Sequence, residues 1–509
     1  MSHTRRSLVG FVAAASVTLL VLTGCTLFPH RAPSVATGAP QGFESLYNQK
    51  VTWTGCNSSF ECATVTAPIN WDAPADGTIT LALVRHRAAG KKLGSLLVNP
   101  GGPGGSGVDF VASGSGVSSA LSDSFDVVGW DPRGVGKSTE VTCFTDPKQT
   151  DEALYGTFSS PYGTQGWIDE LTVEEKSFAA ACDKNTGELL AHVDAVSNAK
   201  DMDLIRGVLG DAQLNYLGYS YGTFLGTVYA ELFPEKVGKL VLDGAIDPLL
   251  GSLDTLAVQM AGFDSAFRAY MTWCLGQADC PFTGTVDSAL AQAGSVLEGV
   301  DSRHLAAADG RELDSATLGT AIAENLYSQS FWPDETSMFV ALQTGDPSLV
   351  FTNADSYNSR NPDGSYSGNS TEVYVAVNCL EGDFASDPTT ALDGVAKIDA
   401  AAPILGKYFA YDDYAVLETA CTNWPVPPVT MPAAYDAKGA PPILVIGTTN
   451  DPATPLAWAQ SLASQLSSGV LVTHKGEGHT AYNQGNACVD STVDDYFVKG
   501  TVPSVDPMC

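Results

Sequence analysis

The pentapeptide Gly218-Tyr219-Ser220-Tyr221-Gly222 constrains this chain more than any other feature. An apolar run, LNYLG (Leu214–Gly218), leads into it, and a segment with helical apolar spacing, TFLGTVYAELF (Thr223–Phe233), follows. Strand, sharp turn and helix in that order set a serine at the apex of the turn. The flanking glycines let the backbone bend and leave the hydroxyl clear of the sheet. A helix that starts at the next residue turns its positive end toward negative charge developing on the serine's partner. Such an elbow needs a parallel sheet behind it.

The rest of the chain supplies one. TITLALVRHR (Thr78–Arg87) alternates at first and reads as a strand. Short apolar runs recur at Ser95–Asn99, Phe125–Trp130, Lys239–Asp243, Ile443–Gly447 and Val470–Thr473. Runs this short and this apolar suit parallel strands buried on both faces. Helical stretches such as Asn198–Leu209 and Gly222–Phe233 lie between them, which predicts an α/β doubly wound fold. The rhythm lapses between Pro248 and about Pro442. There Leu253–Leu275, Thr283–Leu297 and Ser315–Tyr327 read as helices and Asn353–Thr371 as a polar loop, the pattern of a mainly helical cap inserted into the core. The expected divisions are a core at 45–248 and 436–509 with the cap at 249–435.

Charge and the N-terminus narrow the setting. With 26 Lys and Arg against 57 Asp and Glu, the net charge is -31, which excludes a general nucleic-acid binder. Arg5 and Arg6 precede an uncharged stretch, Ser7–Gly24, that ends Leu22-Thr23-Gly24-Cys25. This resembles a bacterial lipoprotein signal peptide, 1–24, with Cys25 as the lipidated residue. Residues 25–44, rich in Pro, Ala, Ser and Gly, read as a tether. An extracytoplasmic protein, lipid-anchored to the outer face of the cell membrane or secreted, is expected. Setting Cys25 aside from the 11 cysteines leaves an even number, as disulfides require. Pairing sequence neighbours gives Cys56–Cys62, Cys143–Cys182, Cys274–Cys280, Cys379–Cys421 and Cys488–Cys509, although spacing alone does not fix connectivity. No C-x-x-C occurs, so zinc has little support.

A nucleophilic serine needs a base, and the base needs an orienting acid. His479 lies in a Gly-rich loop, Gly476–Thr480, just past the last apolar run; His474, at the end of that run, is the rival and reads as structural. Asp451 follows ILVIG, on the edge of a parallel sheet where active sites form. The order Ser220, Asp451, His479 is that of the α/β-hydrolase triad. The loop Asn99-Pro100-Gly101-Gly102-Pro103-Gly104-Gly105-Ser106-Gly107 follows a strand and offers unobstructed amides for an oxyanion. The expected donors are the amides of Gly102 and Tyr221. Gly102, Gly104 and Gly107 also fit G-x-G-x-x-G, but Pro103 and an exported setting argue against a dinucleotide. Gly136-Lys137-Ser138 fails as a P-loop because Asp131 stands where the first glycine is required.

These segments resemble the secreted actinobacterial tripeptidyl aminopeptidases, relatives of proline iminopeptidase among the α/β-hydrolases. The resemblance runs over Asn99–Gly107, Phe125–Ser138, Leu217–Gly226, Phe233–Pro248, Gly447–Pro455 and Gly476–Thr480. Proline iminopeptidases carry His-Gly-Gly-Pro at the oxyanion loop, whereas Pro100 stands in place of that His. The family implies an α/β-hydrolase fold and cleavage of short peptides from a free N-terminus, without metal or organic cofactor. A monomer is expected. An aminopeptidase must also recognise a protonated amine, for which a cap carboxylate is suited. Glu381, beside Cys379 and after the apolar VYVAV, is the candidate, and Asp383 the alternative. A carboxylic-ester hydrolase or acyltransferase with the same triad competes. A non-catalytic surface-binding lipoprotein has no need of the three residues.

Overall fold

The computed structural model describes residues 39–57, 59–114, 116–384 and 390–509. The leader 1–24, Cys25 and most of the tether lie outside the described residues. Among the described residues nine strands form one sheet: β1 (Thr54–Asn57), β2 (Phe60–Pro68), β3 (Thr78–His86), β4 (Ser95–Asn99), β5 (Asp126–Trp130), β6 (Leu214–Tyr219), β7 (Val237–Asp243), β8 (Ile443–Asn450) and β9 (Gly469–Glu477). Their order is β1-β2-β3-β5-β4-β6-β7-β8-β9. The pairs β1–β2, β2–β3 and β3–β5 are antiparallel, and every pair from β5 through β9 is parallel. This is the mostly parallel α/β sheet expected from the strand runs, and the α/β-hydrolase fold that the resemblance implies.

Strand chemistry explains why both faces are covered. All five residues of β4 are buried. Leu96 and Val98 pack into one core, with Leu444 and Ile446 of β8 and Phe497 of the last helix. Leu97 points the other way, into a larger core shared with Val445 and the helices that follow β7. Alternating side chains thus feed two hydrophobic layers, and a strand with no polar face results. Helix ends follow their capping residues. Asp194 opens Ala195–Leu209 by accepting from Ser197 N at 2.9 Å, and Gly210 closes it at φ 83°.

Helices fill the stretch between β7 and β8, among them Ser252–Cys274, Val286–Val300 and Ser315–Leu326. The expected polar loop is corrected at both ends. Residues 353–357 belong to the helix Ser348–Tyr357, and Ser370–Glu381 begins another. The five sequence-neighbour cysteine pairs are all bonded. Among the described residues no helix is long and apolar enough to cross a membrane.

Candidate active site

Ser220 sits at φ 53° and ψ -126°, a conformation that costs a non-glycine residue on the order of 1–3 kcal/mol. The elbow is held from both sides: Ser220 N donates to Asp243 O at 3.0 Å, and Thr223 N donates to Ser220 O at 2.8 Å. The glycines are there for space. A Cβ on Gly218 would lie 2.4 Å from Gly222 O, and one on Gly222 would lie 2.8 Å from Asn99 Oδ1. The oxyanion loop presses equally close. A Cβ on Gly101, at φ 100°, would meet Tyr219 O at 2.5 Å and Tyr221 N at 2.9 Å. Gly102 lines the same cavity as Ser220. Tyr221 opens the helix Tyr221–Leu232, where first-turn amides have no intrahelical partner.

His479 Nδ1–H donates to Asp451 Oδ1 at 2.9 Å and lies 3.0 Å from Oδ2. Asp451 is fully buried and accepts further from Ala453 N at 2.9 Å, Thr454 N at 2.8 Å and Thr480 N at 3.2 Å. Thr454 Oγ1 donates to Asp451 Oδ2 at 3.0 Å and lies 3.2 Å from His479 Nδ1. Burial works against a charge on His479, but Asp451 beside it, and Asp243 behind, outweigh burial and raise its pKa above the usual histidine value. Its other nitrogen, Nε2, is buried without a hydrogen-bond partner among the described residues, and Ser220 and His479 line one cavity. The Tyr327 ring meets the imidazole edge-on at 5.3 Å. His474 is apart from this group: its Nδ1 accepts from Asn486 Nδ2 at 2.8 Å.

Asp243, at the end of β7, was missed in the sequence. It is completely buried, and its carboxylate accepts from Ala481 N at 3.1 and 3.0 Å and from Tyr482 N at 2.8 Å. Side chain and main chain together tie the His479 loop to the elbow. The rule that singled out Asp451, a carboxylate at the C-terminal end of a parallel strand, applies equally to Asp243. The P-loop-like turn is also explained. Asp131 accepts from Lys137 N at 2.8 Å and from Ser106 Oγ at 2.6 Å, so the turn braces the oxyanion loop.

The cavity holds about 390 Å³. Tyr327, Tyr357 and Tyr374 line it, together with Glu175, Glu324, Glu372, Asp412 and Asp413, and among the described residues no lysine or arginine does. Burial pushes Asp412 up to about 6; burial, and then the charge of Asp412, push Asp413 up to about 7. The expected amine ligands are elsewhere. Glu381 Oε1 accepts from Ala195 N at 2.5 Å and from Tyr221 OH at 2.9 Å, so it braces the elbow helix and does not line the cavity. Asp383 accepts from Ser252 N at 2.6 Å, at the start of the helix Ser252–Cys274. The error has a physical source: VYVAV is the middle of a helix, and Glu381 is that helix's last residue. Among the described residues no group of three His, Cys, Asp or Glu side chains is arranged to hold a metal ion.

Comparison with known proteins adds three relatives along nearly the whole chain. The serine protease Hip1 of Mycobacterium tuberculosis is 36% identical over 98% of this chain and 96% of its own. Carboxylesterase B of the same species is 37% identical over 96% and 94%. A tripeptidyl aminopeptidase of Streptomyces coelicolor is 28% identical over 90% and 86%. Residues 407–509 match the family described as TAP-like protein.

Proposed function

The chain belongs to the TAP-like α/β-hydrolases, the family of serine protease Hip1 and the tripeptidyl aminopeptidases, and on that premise we propose that it is an extracytoplasmic serine exopeptidase that removes short pieces from peptide N-termini. The observation that carries this reading is the free Nε2 of His479, backed by Asp451, on a residue that lines the same cavity as the strained Ser220. Ser220 Oγ attacks the scissile carbonyl, and His479 Nε2 takes its proton. Asp451 holds the ring and stabilises the imidazolium. Negative charge on the carbonyl oxygen is met by the amides of Gly102 and Tyr221. His479 then protonates the leaving amine, and water, activated by the same imidazole, releases the acyl group and restores Ser220.

The protonated amine of the substrate meets Asp412 and Asp413, which replace Glu381 and Asp383 in this role. Asp413 is the stronger candidate. It lines the cavity, no hydrogen bond to its carboxylate is found among the described residues, and its charge acts on Tyr327, the ring against His479. The helical region at 249–435 serves as the cap that closes the site. Lipid on Cys25 would hold the enzyme at the outer face of the membrane.

Ester hydrolysis is the second reading, favoured by the 37% identity to Carboxylesterase B. A panel of aminoacyl, dipeptidyl and tripeptidyl chromogenic amides, each free and N-acetylated, beside simple p-nitrophenyl esters, separates the two. Turnover of free-amine peptides with little turnover of their acetylated forms is the expected result. Turnover of esters alone refutes the peptidase reading.

A further inference from the structure

Glu175 has no part in the chemistry described so far. It lies on the helix Gln165–Thr186 and is 7% exposed, yet it lines the cavity. No hydrogen bond or ion pair to its carboxylate is found among the described residues. Its neighbour in the field is Glu174, another acid, and burial with that repulsion pushes it up to about 8. A buried carboxylate without a partner opposes folding, so packing gives no reason for it. Such groups in a cleft mark functional positions.

Apolar side chains line the cavity with it, among them Phe144, Leu154, Phe178 and Val416. Phe144 and Phe178 pack with ring centroids 5.3 Å apart. The disulfide Cys143–Cys182 ties the segment carrying Phe144 to the helix carrying Glu175 and Phe178, so the walls are fixed to each other. The nearby acid Glu372 is already engaged, accepting from Cys143 N at 3.1 Å and Phe144 N at 2.9 Å. Apolar walls beside an unengaged carboxylate fit a long aliphatic side chain with a cationic tip. The stem packs on leucine, valine and phenylalanine, and the tip meets the carboxylate or an aromatic face.

We propose that Glu175 anchors a subsite for a substrate side chain ending in a protonated amine or guanidinium, so that the enzyme selects a lysine- or arginine-like residue. The inference rests on the reading of this cavity as the acyl-transfer site. It is distinct from amine recognition by Asp412 and Asp413, which lie on another element, Asp413 acting on Tyr327.

The test compares lysine with norleucine, which has the same stem without the charge. Tripeptidyl amides carry one or the other at each position in turn, and p-nitrophenyl esters of N-acetyl-lysine and N-acetyl-norleucine form a second series. At one position or in the ester series, wild type should prefer lysine in kcat/KM by roughly 10- to 150-fold, the range for one charge-assisted contact. Glu175→Gln should bring the ratio to within about 3-fold of unity by losing lysine turnover, with norleucine turnover unchanged. Glu175→Leu should reverse the preference, which guards against reading a folding defect as a loss of charge. No lysine preference in wild type, or a ratio that survives Glu175→Gln, overturns the proposal. Cleavage of esters but not of amides refutes the peptidase reading and leaves the ester ratio to decide Glu175.

Discussion

Replacing Asp243 by asparagine tests whether the His479 loop is held by charge. The carboxylate accepts from two main-chain N–H groups, Ala481 at 3.0 Å and Tyr482 at 2.8 Å through the same oxygen, with a further contact to Ala481 at 3.1 Å. The asparagine oxygen can keep the first two bonds. Its NH2 then faces Ala481 N–H, donor against donor. Bonds to a charged group contribute about 1.5–3 kcal/mol each and neutral ones about 0.5–1.5, so the loss over two amides is on the order of 1–3 kcal/mol. Expressed in the transition state, that is a fall in kcat/KM of about 5- to 150-fold. The same change moves a titration. Asp243 is one of two carboxylates that raise the pKa of His479. Removing its charge lowers that pKa, so the neutral base forms at lower pH. The ascending limb of kcat/KM against pH should therefore shift to the acid side in Asp243→Asn, while the circular dichroism spectrum stays that of wild type. A limb that stays put or moves to the alkaline side, with kcat/KM within about 3-fold of wild type, refutes the reasoning.

Ser220→Ala should abolish turnover and the labelling of the protein by a serine-reactive phosphonate, and a labelled peptide from wild type should contain Ser220; label elsewhere counts against the elbow. Asp451→Asn should lower kcat on the order of 10³-fold or more, because His479 loses the carboxylate that fixes its tautomer, as steady-state kinetics would read. Glu381→Gln should reduce turnover of free and N-acetylated substrates alike, through Tyr221 and Ala195; a selective loss on free amines would restore Glu381 as the amine ligand.

Much of the parallel sheet was legible because its strands announce themselves twice, by apolar runs and by the turns that follow. The strands β1 and β2 were not. Phe60–Pro68 alternates buried and exposed residues over only part of its length, and Thr54–Asn57 is exposed throughout, so neither carries a strong pattern. Ser220, Asp451 and His479 were readable as candidates because each stands just past a strand beside glycine or proline. The cavity wall was not readable. Asp412 and Asp413 come from Ala410–Tyr414, Glu175 from a helix that starts at Gln165, and Glu324 from one that starts at Ser315. No local motif joins them; only the packing of distant helices does. Glu381 was misplaced for the same reason, since a carboxylate at a helix end can face either way and sequence does not say which.

The split of the machinery around the helical insertion sets an order in time. The bond from Ala481 to Asp243 spans 238 positions of the chain, and all of the helices between β7 and β8 lie within that span. On the proposed mechanism, the serine elbow is complete during synthesis long before its acid and base exist. Until β8 and β9 dock beside β7, the chain carries a nucleophile that nothing can deprotonate. A product truncated anywhere before β8 is therefore inert, and so is the nascent chain until β9 has been made. The enzyme acquires its activity only when its last strands have arrived, so synthesis to the end of the sheet is itself the condition for catalysis.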